Sequence, residues 1–214
     1  NNEIYGLTKG QFSPTSQKGL QTKSNPEGTT DEPFIPSDLA IGAQGTFFAR
    51  VVDTNPKLMQ EIFTQAEAHK GTSLVEILQN CVIFNDKTFA DITAKEVRLD
   101  NQIVLEDEKP MLFGKEGNRG LRLNGFKLEV VTIGADGVTE DDILVHNATE
   151  QDPTLHAMLA RMGPPAFPAA LGIIRKVKRH TYDEGVIAQI KKEQKDAQFN
   201  TIDDLLNAGD TWEI

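Results

Sequence analysis

The sequence predicts an α/β chain, with parallel strands and flanking helices in its first part and a mixed extension behind them. Three observations lead there. A strand, an amphipathic helix and a second apolar strand follow one another between residues 46 and 78. Beyond Asp86 the apolar runs shorten and are broken by glycine, and helical spacing returns after residue 150.

In chain order, residues 1–30 are dominated by Gly, Ser, Thr, Pro, Asn and Gln, a composition that fits a disordered tail or, if ordered, a long loop that binds a ligand. Residues 38–44 have helical character, and 46–52 are rich in strand formers. Asn55 and Pro56 supply an N-cap and a first-turn proline. Leu58, Met59, Ile62, Phe63 and Ala66 then recur at helical spacing to about His69. After Gly71 the run 73–78 is apolar with little alternation, as expected of a parallel strand covered on both faces. The unit reads β-α-β, with a right-handed crossover and a ligand edge past the carboxyl ends of its strands, where Gln79, Asn80 and Cys81 fall. Short runs at 103–105, 111–113, 121–123 and 128–133 suggest a small, partly antiparallel appendage. Helices are expected from Pro153 through Leu159, from Asp183 to about Lys195, and from Thr201 to about Asn207.

With 214 residues the chain has room for one large domain or two small ones, and its 32 acidic against 22 basic residues give a net charge of −10. That balance argues against nucleic acid and against an anionic membrane as partners. No stretch approaches the length of a bilayer span and no signal segment opens the chain, so a cytoplasmic protein is expected. A single cysteine excludes an internal disulfide framework, and His69, His146, His156 and His180 have no zinc-ligand spacing. Residues 1–30 reverse the overall sign, with Lys9, Lys18 and Lys23 against Glu3 and Glu27. The chain opens on Asn1 in what reads as the middle of a motif, and is expected to be a fragment.

Read alone, the Asn1–Asn2 pair is either an ordinary turn or a source of hard oxygen ligands for Mg²⁺. Lys9 is either a solvated lysine or a point charge for an anion. Cys81 is either a small buried hydrophobe at a strand end or one thiolate of a cluster whose other ligands lie elsewhere.

The blocks NNEIYGLTKGQFSPTS, TKSNPEGTTDEPFIPSDLAIGA, TFFARVVDT, HKGTSLVEILQNCVIFND, DGVTEDDILVHN, DPTLHAMLARM, RKVKRHTYDE and DDLLNAGDTWEI, in this order and spacing, resemble the β subunit of 2-oxoacid:ferredoxin oxidoreductases of the 2-oxoglutarate type. The resemblance covers nearly the whole chain. It lacks the family's earlier CxxC-containing segment and the Gly-Asp-Gly start of the thiamine diphosphate motif. The resemblance implies the second part of a thiamine-diphosphate-binding module over residues 1–90 and a C-terminal extension of mixed α/β structure over 91–214.

Carried over residue by residue, it makes Asn2 a side-chain ligand and Ile4 a carbonyl ligand of the magnesium ion that clamps thiamine diphosphate. Tyr5 and Thr8 then lie along the cofactor, and Lys9 faces the distal carboxylate of the substrate. Cys81 completes a 4Fe-4S cluster shared with the missing segment. The aspartate ligand of Mg²⁺ is absent, and the glutamate that activates the cofactor belongs to the α subunit, so no catalytic residue is expected in this chain. The implied reaction is oxidative decarboxylation of 2-oxoglutarate with coenzyme A to succinyl-CoA, carbon dioxide and reduced ferredoxin. The alternatives are the same reaction on pyruvate or another 2-oxoacid, and a non-catalytic piece that only docks on partner subunits.

Overall fold

The computed structural model describes residues 1–199, 201–210 and 212. After the opening loops, helix α1 (Pro36–Gly42) leads into strand β1 (Phe47–Val52), helix α2 (Pro56–Glu67) and strand β2 (Ser73–Leu78). The expected start signal of α2 is present: Pro56 occupies the first turn and Asn55 Oδ1 accepts from the Leu58 amide at 3.2 Å. β1 and β2 pair in parallel, in register from Phe47 opposite Ser73 to Val52 opposite Leu78.

β1 is buried along its whole length. Phe47, Ala49 and Val51 pack with Ile62 of α2 on one face, while Phe48 and Val52 enter separate apolar clusters on the other. Burial of side chains of this size contributes about 1.5–3 kcal/mol each. Arg50 interrupts the apolar run, but its Nε lies 2.7 Å from Glu76 Oε2 on β2 and both side chains are nearly inaccessible. β2 departs from expectation. It forms one edge of the sheet and only Glu76 and Leu78 are fully buried, so its largely apolar composition does not reflect cover on both faces.

The short helices α3 (Ala90–Thr93) and α4 (Arg98–Asn101) precede β3 (Gln102–Leu105). β4 (Leu112–Phe113), β5 (Arg119–Asn124) and β6 (Lys127–Thr132) form a three-stranded antiparallel sheet, the expected appendage. β3 is not part of it. This strand instead closes the main sheet, paired in parallel with β7 (Ala169–Lys176), which also pairs antiparallel with β1, to give the order β2-β1-β7-β3. Sequence patterning passes over β7 because Gly172 splits its apolar run and Arg175 and Lys176 give its end a solvated look. The glycine is required: its φ is +97°, and a Cβ there would stand 2.8 Å from the Leu105 carbonyl oxygen. Arg175 is buried beside the expected helix α5 (Thr154–Ala160), and donates to the carbonyls of Gly45, Glu150 and Gln151 and to His156 Nδ1.

Two buried histidines pin the same region. His156 Nε2 meets the Asn147 carbonyl at 2.8 Å and His146 Nε2 the Ile173 carbonyl at 2.9 Å, with the two rings edge to face. Burial lowers the pKa of both. Residues 179–214 form a separate unit. It contains α6 (Tyr182–Lys195) and α7 (Ile202–Leu206), each opened by a Thr capping box, with Thr181 and Glu184 in one and Thr201 and Asp204 in the other. Among the described residues, no helix is long and apolar enough to cross a membrane.

Candidate cofactor and cluster site

The opening residues are ordered against the carboxyl end of β2. The Asn1 backbone nitrogen donates to the Ile77 carbonyl, and the Gln79 amide donates back to the Asn1 carbonyl, a rung of parallel ladder on the outer edge of that strand. The Asn1 side chain is fully engaged: Nδ2 donates to Glu76, while Oδ1 accepts from Thr15 Oγ1 at 2.8 Å and from the Glu3 amide. Of the asparagine pair, the first therefore anchors the loop. The second is left available, since Asn2 Oδ1 accepts only a long 3.4 Å contact from the Ile4 amide.

Glu3 is buried, with Gln17 and Thr88 donating to its two carboxylate oxygens, and burial raises its pKa. Ser16 donates to the Glu3 carbonyl, the Ile4 side chain is buried, and the Tyr5 amide donates to the Gln11 carbonyl at 2.8 Å, so the chain is fixed on both sides of the Ile4 carbonyl. No described residue donates a hydrogen bond to that carbonyl. Two oxygens expected of the magnesium site, Asn2 Oδ1 and the Ile4 carbonyl, thus lie two residues apart on a held backbone with little or no competing donor.

Beyond Ile4 the chain makes a compact loop. Tyr5 and Gln11 bridge as antiparallel partners, the Gly10 amide donates to the Tyr5 carbonyl, and Thr8 Oγ1 reaches the same carbonyl at 3.4 Å. Tyr5, Thr8 and Lys9 are exposed on it. Lys9 adopts φ +67° with its amide donating to the Gly6 carbonyl. Gly10, at φ +93°, lets the Phe84 ring approach so closely that a Cβ would lie 2.9 Å from Cδ1.

Phe84 belongs to the second loop of the site, residues 79–88. Asp53, at the end of β1, accepts from the Asn80 amide, and Asn80 in turn holds Asp86 and the Lys87 amide. Cys81 is half-buried and pairs with Asn85, whose amide donates to the Cys81 carbonyl at 2.9 Å. Asn85 Nδ2 reaches across to the Asn2 carbonyl at 3.1 Å. The two loops expected to carry cofactor and cluster ligands are therefore stitched together by Asn85. Sequence reasoning gave no role to Asn85, Phe84 or Thr88; the signal was the polar-aromatic end of CVIFND, which spacing alone does not distinguish from a turn.

Chemically the set is incomplete by itself. Among the described residues no three His, Cys, Asp or Glu side chains gather as a metal site. Two neutral oxygens fit Mg²⁺ only alongside diphosphate oxygens and further ligands, and one thiol fits a cluster only as a single ligand of several. Around the site stand Leu7, Val82 and Ile83, exposed at 98, 73 and 77 %.

Residues 1–77 match the family described as "Thiamine pyrophosphate enzyme, C-terminal TPP binding domain". The whole chain is 41 % identical, over 217 aligned residues, to the 2-oxoglutarate oxidoreductase subunit KorB of Mycobacterium tuberculosis, of which it spans 57 %. About half of it is 40 % identical to the 2-oxoacid:ferredoxin oxidoreductase subunit beta of Saccharolobus solfataricus, covering 34 % of that protein. Its fold matches a 2-oxoglutarate:ferredoxin oxidoreductase from Magnetococcus marinus with a TM-score of 0.63 at 22 % identity, over 98 % of this chain and 56 % of that one. The chain is thus similar along its entire length to one such oxidoreductase subunit, of which it spans little more than half, and its first 77 residues are similar to a C-terminal thiamine pyrophosphate-binding domain.

Proposed function

We propose that this chain acts as part of the β subunit of an enzyme that oxidatively decarboxylates 2-oxoglutarate with coenzyme A, releasing succinyl-CoA and carbon dioxide and passing the electrons to ferredoxin. The observation that supports the reading is the joining of the two loops: Asn85 spans from the Cys81 turn to the Asn2 carbonyl, so one set of hydrogen bonds ties together the two loops to which the reading assigns cofactor and cluster ligands. Names of relatives in both comparisons support the 2-oxoglutarate type.

In this reading Asn2 Oδ1 and the Ile4 carbonyl hold Mg²⁺, with Tyr5 and Thr8 beside the thiamine diphosphate. The cofactor, when bound, supplies the carbanion-stabilising chemistry. The chain supplies placement. Glu3, anchored by Gln17 and Thr88, fixes the backbone that presents the Ile4 carbonyl. Lys9 offers a positive charge to the distal carboxylate of the substrate, and Cys81 contributes one thiolate to a 4Fe-4S cluster. The remaining ligands and the activating glutamate come from an earlier segment of the subunit and from an α subunit, and the exposed Leu7, Val82 and Ile83 are the surface such a partner covers. Residues 1–90 complete the cofactor module and 91–214 extend it, in a cytoplasmic complex.

The test is reduction of ferredoxin by the assembled αβ enzyme with 2-oxoglutarate or pyruvate, with and without coenzyme A. Coenzyme A-dependent reduction favouring 2-oxoglutarate is expected. Preference for pyruvate would overturn the substrate assignment, and no turnover of any 2-oxoacid would overturn the reaction.

A further inference from the structure

Lys9 does not stand alone on its loop. It lines a groove of about 410 Å³ together with Gly10, Thr22, Lys23, Ile83 and Phe84. Lys23 reaches this groove from a different part of the chain. The segment 19–29 folds back on itself, with the Gly19 amide donating to the Thr29 carbonyl and the Thr29 amide to the Leu20 carbonyl. At its tip Thr22 and Asn25 exchange backbone hydrogen bonds of 3.1 Å, and the Asn25 amide also meets Thr22 Oγ1 at 3.2 Å, so Lys23 sits in a doubly closed turn. The arms come together because residue 28 is glycine: at φ +86° a Cβ there would lie 2.6 Å from the Gly19 carbonyl oxygen.

The charge pattern is the second observation. Lys18, Arg50, Arg119, Arg122 and Arg161 each have a carboxylate within ion-pair distance. Lys9 and Lys23, like most lysines of the described residues, have none, so both ammonium groups are open to an external anion, in a chain whose net charge is −10. Two ammonium groups sharing a groove repel each other, and an anion placed between them relieves that repulsion. Ile83 and Phe84 line the same groove and give it an apolar side.

Building on the proposed function, we propose that Lys23 is a second specificity-determining residue, forming with Lys9 a two-lysine seat for the distal carboxylate of a dicarboxylic 2-oxoacid. A monocarboxylic 2-oxoacid leaves the seat empty. Because each lysine is solvent-exposed, its share is modest: removal of one ammonium weakens the carboxylate by about three- to tenfold, and more so at low salt.

The probe is glutarate, a dicarboxylate that cannot react, titrated calorimetrically into the assembled enzyme. Wild type binds it, Lys23→Gln and Lys9→Gln each bind it several-fold more weakly, and Lys23→Arg restores affinity. In turnover, Lys23→Gln lowers kcat/KM for 2-oxoglutarate while leaving that for 2-oxobutyrate unchanged, a split that a merely structural role for the turn would not produce. Wild-type glutarate affinity in Lys23→Gln, or no glutarate binding by wild type, overturns the seat. So does a Lys23-dependent site that takes inorganic phosphate and ignores glutarate. An enzyme that binds glutarate through both lysines but turns over no 2-oxoacid would defeat the proposed reaction and leave the seat standing.

Discussion

Two irregular regions of this chain are held by polar side chains, and they use them in opposite ways. Around residues 145–156, three buried polar side chains, His146, His156 and Arg175, grip backbone carbonyls, so the loop is pinned from the interior by this chain's own side chains. In the loops at residues 1–11 and 79–88, Asn1, Glu3 and Asn85 hold the backbone from beneath, while Tyr5, Leu7, Val82 and Ile83 face outward. Apolar side chains on the outside and hydrogen bonds underneath are the reverse of what stability alone selects. In the proposed function, the contrast separates a region held by its own chain from one that a partner covers.

The strongest way to break that contrast is at Cys81. In the assembled enzyme, Cys81→Ser replaces a soft thiolate by a hard, weakly basic oxygen and should abolish ferredoxin reduction, with iron content and visible absorbance lost together. Normal absorbance and electron transfer would return Cys81 to the role of a small half-buried side chain.

Next in size is the buried pair beneath the opening loop. Arg50→Met leaves Glu76 charged, buried and short of its partner, and should cost about 3–5 kcal/mol in urea unfolding. Glu76 also takes Asn1 Nδ2, so the loop should loosen with it, read as faster amide exchange at Glu3 and Ile4.

Lys9→Ile is expected to lower kcat/KM for 2-oxoglutarate about three- to tenfold, the share of one solvent-exposed ammonium, and to leave pyruvate nearly unchanged. Equal losses on both substrates would move Lys9 from substrate recognition to support of the loop.

The smallest effect sharpens the closed side of the comparison. Burial depresses the pKa of His146 and His156, so below about pH 6.5 the unfolded chain takes up protons that the folded one refuses. Stability is then full at neutral pH and declines as the pH falls toward the folded-state values. Thermal unfolding between pH 7.5 and 5.5 should show the decline. His146→Gln, whose amide still donates to the Ile173 carbonyl, should make it shallower.

Much of this was legible beforehand, and the reasons differ by residue. Asn55, Pro56 and the spacing of Leu58, Met59 and Ile62 announce α2 because local chemistry decides it. The capping threonine Thr201 announces the last helix in the same way, whereas the Thr181 cap of α6 was not read from the sequence. β7 escaped because what makes Gly172 and Arg175 suitable for the sheet centre lies far away, at the Leu105 carbonyl and at His156. β3 was read into the wrong sheet for the same reason, since four apolar residues carry no record of their partner. At the site, the residue types were visible but their division of labour was not. Only the contacts to Thr15 and Glu76 show that Asn1 anchors the loop and leaves Asn2 available.

The place of β7 has a consequence in time as well as in space. This strand, the last of the main sheet in chain order, ends at Lys176, yet it lies between β1 and β3 and bonds to both. As the chain leaves the ribosome, β1 and β2 can pair through a local helix, but β3 has no neighbour to join until about seventy more residues have been made. The middle of the sheet must then be threaded late, closing loops of roughly 60 to 125 residues at once. Such an order favours slow, cooperative closure and leaves the inner edges of β1 and β3 exposed in the meantime. Subunit assembly that waits for residue 176 would meet a finished surface, whereas a partner arriving earlier would meet two open strand edges.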